Sequence, residues 1–333
     1  RLAFLEASNS GNLLDGETFT IVEGDSTCTD SAAATAAAEQ LVADGVVAIM
    51  GADCSGVTKA INASVAVPNG ILMVSPSATS PALSKVPDSG TFWRTAPSDA
   101  KGGQILADIA LDRGLTSVAI TYENSDYGKG LSEVFAGAFE AGGGTVTTND
   151  PHENGKGDYS AEVGVLASAG GDALAVLGYL DQAGGKIVQG ALDSGAFDLF
   201  VLGDGMIGQA LVDNIGSDLE GSFGSVPGST SKGAGKFNDL AATNGMDGTA
   251  PYVAQSYDAA ALIVLAMGAG GSSDRQSIAD NIMGVANAPG TEILPGQLRK
   301  GLVILKDGGE INYQGATDVE LVGVGEISKH RSF

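Results

Sequence analysis

VVAIMGADCSGVTKAINASVAVPNGILMVSPSATSPALS, residues 46–84, decides how the rest of this chain is read. Two apolar runs, Val46–Met50 and Ile71–Val74, are each too short for a helix and end abruptly in small polar residues, the pattern of buried parallel strands. Between them Ser55-Gly56 precedes VTKAINASVAV, a helix-length segment stopped by Pro68-Asn69-Gly70, so Ser55 stands where an N-cap would stand. The second strand runs out into the turn that carries Ser77, Ala78 and Thr79. Hydroxyls beside free helix amides bind carboxylate or phosphate without a basic side chain. Taken singly, each hydroxyl reads better as a turn cap; their clustering at two strand ends points to a binding site.

Outward from this unit the alternation of strand and helix is regular. Strand Thr18–Glu23 and helix Asp30–Ala43 precede it, and Thr91–Thr95 follows it. After Ala96-Pro97-Ser98 the pattern restarts with helix Asp99–Arg113, strand Ser117–Tyr122, helix Tyr127–Ala141 and strand Thr145–Thr148. Strands Ala173–Gly178, Leu199–Leu202 and Ser222–Val226 then alternate with helices Gln182–Ser194 and Met206–Ile215. Such alternation argues an α/β chain built on doubly wound parallel sheets. Pro227-Gly228-Ser229 reads as a return crossing, and the helices near Ala234–Thr243, Tyr252–Ala269 and Arg275–Val285 rejoin the first lobe. Tyr252–Ala269 is apolar on most sides, as a buried packing helix is. With a third crossing in the tail around Val319–Val322, the expected lobes are 1–96 with 229–318, and 97–228 with 319–333.

The length of 333 residues and a hydrophobic content of 43% suffice for two cores. Seventeen basic against 40 acidic residues, a net charge of −23, repel phosphate backbones and anionic lipid, which argues against nucleic acid as a partner. No apolar run approaches the ~20 residues of a membrane span, and the composition reads as that of a soluble chain. Cys28 and Cys54 are the only cysteines, and three readings are open: a disulfide, a catalytic thiol, or two inert buried thiols. A thiol nucleophile would want a histidine base, and His152 and His330, the only two, are far away in sequence; with so few His and Cys a zinc site has no ligand set.

Two further features bear on chemistry. Gly203-Asp204-Gly205-Met206-Ile207-Gly208 matches G-x-G-x-x-G between a strand and a helix, the context of a dinucleotide fingerprint. Against that reading, Asp204 would put a carboxylate where the pyrophosphate lies, and no apolar strand ending in an acidic residue follows. Asp204 reads instead as a carboxylate at a strand end, facing a cation, or more plainly as a cap of its own helix.

GADCSGVT, ILMVSPSATSPAL, YENSDYGKGL and VLGDGMIG, in this order and spacing, resemble the branched-chain amino acid class of periplasmic solute-binding proteins of ABC importers. The likeness runs from about Leu13 to the C-terminus. It implies the type I periplasmic binding protein fold, two lobes joined by a three-segment hinge, and a disulfide between Cys28 and Cys54 in an oxidising, periplasmic compartment. It also implies a monomer, no enzymatic activity and no cofactor, with an ABC permease and its ATPase subunits as partners. The ligand would be an amino acid or similar small zwitterion, branched-chain ones among them. Ligand-contacting roles carry over to Tyr127 and Tyr179, beside Ser55, Ser77, Ala78, Thr79 and Asp204. Asp53 departs from the pattern, where an apolar residue is usual; either it meets a polar ligand or it points to solvent and caps the next helix. Family members begin with a strand and a glycine-rich loop ahead of the helix that Arg1–Ser8 suggests, so the biological chain is expected to carry a segment before position 1. The alternative functions are a ligand-sensing receptor domain for amino acids or small amides, and a nucleotide-dependent enzyme using Gly203–Gly208.

Overall fold

A computed structural model describes residues 1–323 and 326–327, and the chain divides into two units. Unit 1 takes residues 1–79, 83–97 and the described residues from Gly228 onward; unit 2 takes residues 80–82 and 98–227.

Unit 1 opens with α1 (Leu2–Ser10), which buries Ala3 and Ala7 and ends at Gly11, whose φ of 65° is the left-handed conformation that glycine adopts at no steric cost. α2 (Ser31–Ala43) starts at Asp30, whose carboxylate accepts the amides of Ala32 and Ala33, two of the donors a helix start leaves open. Then follow β1 (Ala48–Met50), α3 (Ser55–Ile61), which runs on through a π-type turn at Asn62–Ala66 into Val67–Asn69, β2 (Leu72–Ser75) and β3 (Phe92–Arg94). The three strands are parallel in the order β1-β2-β3, with Ile49 opposite Met73 and Val74 opposite Trp93. Every residue of β2 is buried, which is why the run is continuously apolar instead of alternating.

Unit 2 contains α4 (Asp99–Asp112), β4 (Ser117–Glu123), α5 (Asp126–Ala141), β5 (Thr145–His152), α6 (Ser160–Ala169), β6 (Ala173–Leu177), α7 (Gly185–Ser194), β7 (Phe200–Leu202), α8 (Gln209–Ile215) and β8 (Phe223–Gly224). Its five strands are all parallel in the order β5-β4-β6-β7-β8. The order reverses at β4, so β4 and β6 diverge in the direction their connections take. That is the switch point where open α/β sheets leave a crevice at the carboxyl ends of the strands. One core cluster packs α4 and α5 on one face through Leu106, Leu131, Phe135 and Phe139; the other packs α6 and α7 through Val163, Leu166, Ile187 and Val188.

The chain returns to unit 1 with α9 (Lys232–Thr243), α10 (Val253–Gly270), α11 (Arg275–Ala286), β9 (Thr291–Ile293), α12 (Leu298–Lys306), β10 (Ile311–Tyr313), β11 (Leu321–Gly323) and β12 (Glu326–Ile327). α10 is the one described helix long and apolar enough to cross a membrane by composition, yet two thirds of it is buried by its own unit, as a core helix is. Inside the unit Asp258 of α10 is wholly buried and accepts hydrogen bonds from Tyr313 Oη at 2.7 Å, Ala316 N at 2.8 Å, Thr317 N at 2.9 Å and Thr317 Oγ1 at 2.6 Å. It ties the C-terminal loop to the core helix.

Two expectations are corrected. Thr18–Glu23 forms no strand: its Ile21 and Val22 are exposed, and no described strand pairs with it. Phe19 against the Phe4 ring (centroids 4.9 Å) and its amide on Ser8 Oγ hold it by side chains instead. Apolar alternation expresses a preference for a pleated surface, and without a partner's ladder beside it that preference makes no strand. Residues 319–323 and 326–327 belong to unit 1 and not to a second-lobe tail, because Val319, Leu321 and Ile327 are buried in its core; 328–333 lie outside the described residues. The reading of the sequence named no element at α12, whose Leu298, Gly301 and Leu302 are spaced to bury one helical face.

Cys28 and Cys54 form a disulfide, Cα atoms 5.1 Å apart and 26 residues apart in sequence. The bridge forms although no strand precedes Cys28. Closing a loop of this length stabilises by about 3 kcal/mol in the chain-entropy model. Labelling the denatured, unreduced protein with a thiol reagent is expected to find no free cysteine, and a Cys28→Ser/Cys54→Ser variant to unfold with about that loss. Two reactive thiols in the untreated protein contradict the pairing.

Candidate functional site

At the carboxyl end of the unit 1 sheet two turns are sewn together by hydroxyls. Ser75 Oγ, at the end of β2, donates to Ala52 O and accepts the amide of Ala78 at 3.0 Å. Ser77 Oγ donates to Asp53 O at 2.9 Å. Arg94 at the end of β3, wholly buried, donates from Nη1 to Ala78 O at 3.0 Å, so a cation stands behind this turn. The geometry brings Asp53, Ser55, Ser77, Ala78 and Thr79 to one end of one sheet. Ser55 is the first residue of α3 and not its cap; the cap position is Cys54, which offers no side-chain hydrogen bond. Ser55 is buried all the same. The Thr79 hydroxyl is buried with no hydrogen-bond partner among the described residues. Asp53 is exposed; its Oδ1 accepts Ser26 Oγ at 2.6 Å and the Cys54 amide at 3.0 Å.

At the carboxyl end of the unit 2 sheet, β4, β6 and β7 present Tyr127, Tyr179 and Asp204. Tyr127 opens α5, is buried, donates from Oη to Asp204 Oδ1 at 2.6 Å and accepts the Gly205 amide at 3.0 Å. Its ring stacks on Tyr179, centroids 4.8 Å apart at an interplanar angle of 21°. Burial first, then the Asp204 charge, raises the Tyr127 pKa well above the phenol range, so it remains a neutral donor that orients the carboxylate. Asp204 is half-buried at the start of a single 3₁₀ turn, Asp204–Met206.

The glycine motif is explained by this packing. A Cβ on Gly205 would lie 2.7 Å from Gly178 O and 2.8 Å from Tyr179 Cδ1, and one on Gly203 would lie 2.9 Å from Tyr127 Oη. These glycines admit the tyrosine pair, and a pyrophosphate has no part in requiring them. Among the described residues no three His, Cys, Asp or Glu side chains gather as a metal site needs.

Beside Tyr179 lies a group that the reading of the sequence missed. Glu123, the last residue of β4, and His152, the last of β5, are paired in register and buried, and Asn154 Nδ2 donates to Glu123 Oε1 at 2.7 Å. Burial raises the Glu123 pKa and lowers that of His152 to about 4, so the ring is neutral. The one available signal was the carboxylate at the end of the apolar run SVAITYE.

A family model described as "Receptor family ligand binding region" matches residues 1–322. The Leu/Ile/Val-binding protein homolog 1 of Brucella melitensis is 31% identical over 287 residues, which is 83% of this chain and 74% of that protein. Homolog 3 of the same organism is 34% identical over 171 residues, 51% of this chain and 46% of the relative. In fold, the chain matches the crystal structure of a leucine binding protein, LivK, from Thermotoga maritima with a TM-score of 0.75 at 24% identity, covering 100% of this chain and 93% of that one. The fold is thus that of the type I periplasmic binding proteins, and the chain belongs to the receptor ligand-binding-region family, among the Leu/Ile/Val-binding protein homologues.

Proposed function

We propose that this chain is the solute-binding protein of an ABC importer, working outside the cytoplasm, in the periplasm, as a monomer that hands an α-amino acid to a membrane permease driven by its ATPase subunits. The observation that carries the reading is the buried, unpartnered hydroxyl of Thr79 at a strand end already lined with Ser55, Ser77 and the first amides of α3. A buried hydroxyl without a partner costs about 1–3 kcal/mol, and a ligand carboxylate would complete it. Unit 2 offers the opposite polarity, Asp204 oriented by Tyr127, which suits an ammonium. A zwitterion asks for both.

Calorimetry and thermal shift with leucine, isoleucine and valine test this against small amides and NAD. A ligand at 100 times its Kd stabilises by ~2.7 kcal/mol. At least one of the three amino acids is expected to do so and NAD to do nothing. Hinge closure on the ligand should also reduce the radius of gyration in X-ray scattering. Stabilisation by NAD alone would move the reading to the nucleotide enzyme.

A further inference from the structure

We infer that Glu123 is the positioning residue of the Tyr127–Tyr179 pair, and that a proton held at its carboxylate couples the seat of Tyr179 to pH. The seat stands on geometry within unit 2; only its effect on ligand affinity rests on the amino-acid reading above.

Glu123 touches the foundations of both tyrosines. On one side its carbonyl accepts the Ser125 amide at 2.7 Å, and a Cβ on Gly128 would lie 2.3 Å from that same carbonyl oxygen. The first turn of α5, with Tyr127 in it, therefore rests directly on the Glu123 backbone. On the other side the Tyr179 backbone N–H hydrogen-bonds to the Glu123 carboxylate. Gly178 passes so close that a Cβ there would lie 3.2 Å from Glu123 Cβ and 3.2 Å from His152 Nε2.

Accounting for hydrogens around this carboxylate leaves one place for a proton. Thr121 Oγ1 donates its only hydrogen to Asp150 O at 3.1 Å, so its 2.9 Å contact with His152 Nδ1 is one in which the ring donates. The neutral imidazole then presents a lone pair at Nε2. Asn154 spends an amide hydrogen on Glu123 Oε1 and presents Oδ1. Glu123 Oε2, His152 Nε2 and Asn154 Oδ1 are all buried, and none has a partner among the described residues. On this accounting all three are acceptors left without a donor. A proton on Glu123 Oε2 turns one of them into a donor.

The charges on the packed elements agree. Asp181, in the turn after β6, opposes ionisation of Glu123; Glu153 at the end of β5 and Glu162 in α6 face His152, Lys156 opposes them, and Asp126 sits in the first turn of α5. Burial is the larger cause, and it keeps the proton on the carboxyl to a pH above the ordinary glutamate range. When the proton leaves, the Tyr179 amide gains a charge-assisted bond and Tyr179 is held more firmly against Tyr127. Ligand affinity should then fall as pH drops through the Glu123 transition.

The test has two arms. In ¹⁵N–¹H spectra of the unliganded protein, the Tyr179 amide is expected to titrate with a midpoint above 4.5, and this titration to vanish in Glu123→Gln, which keeps the shape and the acceptor. In calorimetry with leucine, wild type should bind more weakly below the midpoint read from the spectra than above it, Glu123→Gln should be flat over that range, and Glu123→Ala should lose about tenfold above that midpoint. A Tyr179 amide that ignores pH, or titrates equally in Glu123→Gln, overturns the inference. If leucine binds to nothing, the amino-acid reading falls and the spectra still decide the seat.

Discussion

Asp258→Ala is expected to destabilise unit 1 by about 3–5 kcal/mol, the range for removing one partner of a buried charged network. The carboxylate is wholly buried, and its loss strands the hydroxyls of Tyr313 and Thr317 and the amides of Ala316 and Thr317 in an apolar interior. Asp258→Asn is expected to be damaging too, since its NH₂ would face some of these donors with another donor. Desolvation pushes the Asp258 pKa up to about 6 against its hydrogen bonds, which pull the other way. Because the folded-state pKa is raised from 3.8, the associated stability is fully present below 3.8 and lost as pH rises through about 6. The cost of Asp258→Ala should therefore be about 1 kcal/mol larger at pH 5 than at pH 8. Urea unfolding at the two pH values measures it. A cost below 1 kcal/mol at both would mean that water reaches the loop and satisfies the stranded donors.

Asp204→Asn is expected to weaken binding of α-amino acids by ~2–5 kcal/mol, the range for removing one partner of a buried charge pair. The substitution is clean, because asparagine keeps an oxygen to accept the Tyr127 hydroxyl that Asp204 Oδ1 accepts at 2.6 Å. What disappears is the charge that would face the ligand's ammonium. Ser55→Ala, losing one neutral hydrogen bond, is expected to cost only ~1–3 kcal/mol. If Asp204 merely caps its own short turn, asparagine caps equally well and affinity is unchanged. Calorimetry on both variants, with circular dichroism showing an intact fold, separates the two readings.

Tyr127 and Asp204 show how the structure adds to a motif. Their positions at a helix start and a strand end follow from local pattern, and the family likeness marked Tyr127 as a ligand contact. That they are hydrogen-bonded to each other, 77 residues apart in sequence, follows only from the adjacency of strands in the order β4-β6-β7. The same adjacency turns Gly203-Asp204-Gly205 from a phosphate loop into room for two aromatic rings.

The sequence by itself determined the α/β alternation, the parallel strands at Ile71–Val74 and Ala173–Gly178, and the buried helix that begins after Tyr252. In each of these a continuous apolar run has one periodicity and one way to be buried. The tertiary structure alone decided the fate of Thr18–Glu23, the allegiance of Val319 and Leu321, the helix at Leu298–Lys306 and the Glu123–His152–Asn154 group. A strand needs a neighbour to exist, and a short apolar segment joins whichever core is near. The pKa of a carboxyl depends on what surrounds it, and none of these is written within the few residues on either side.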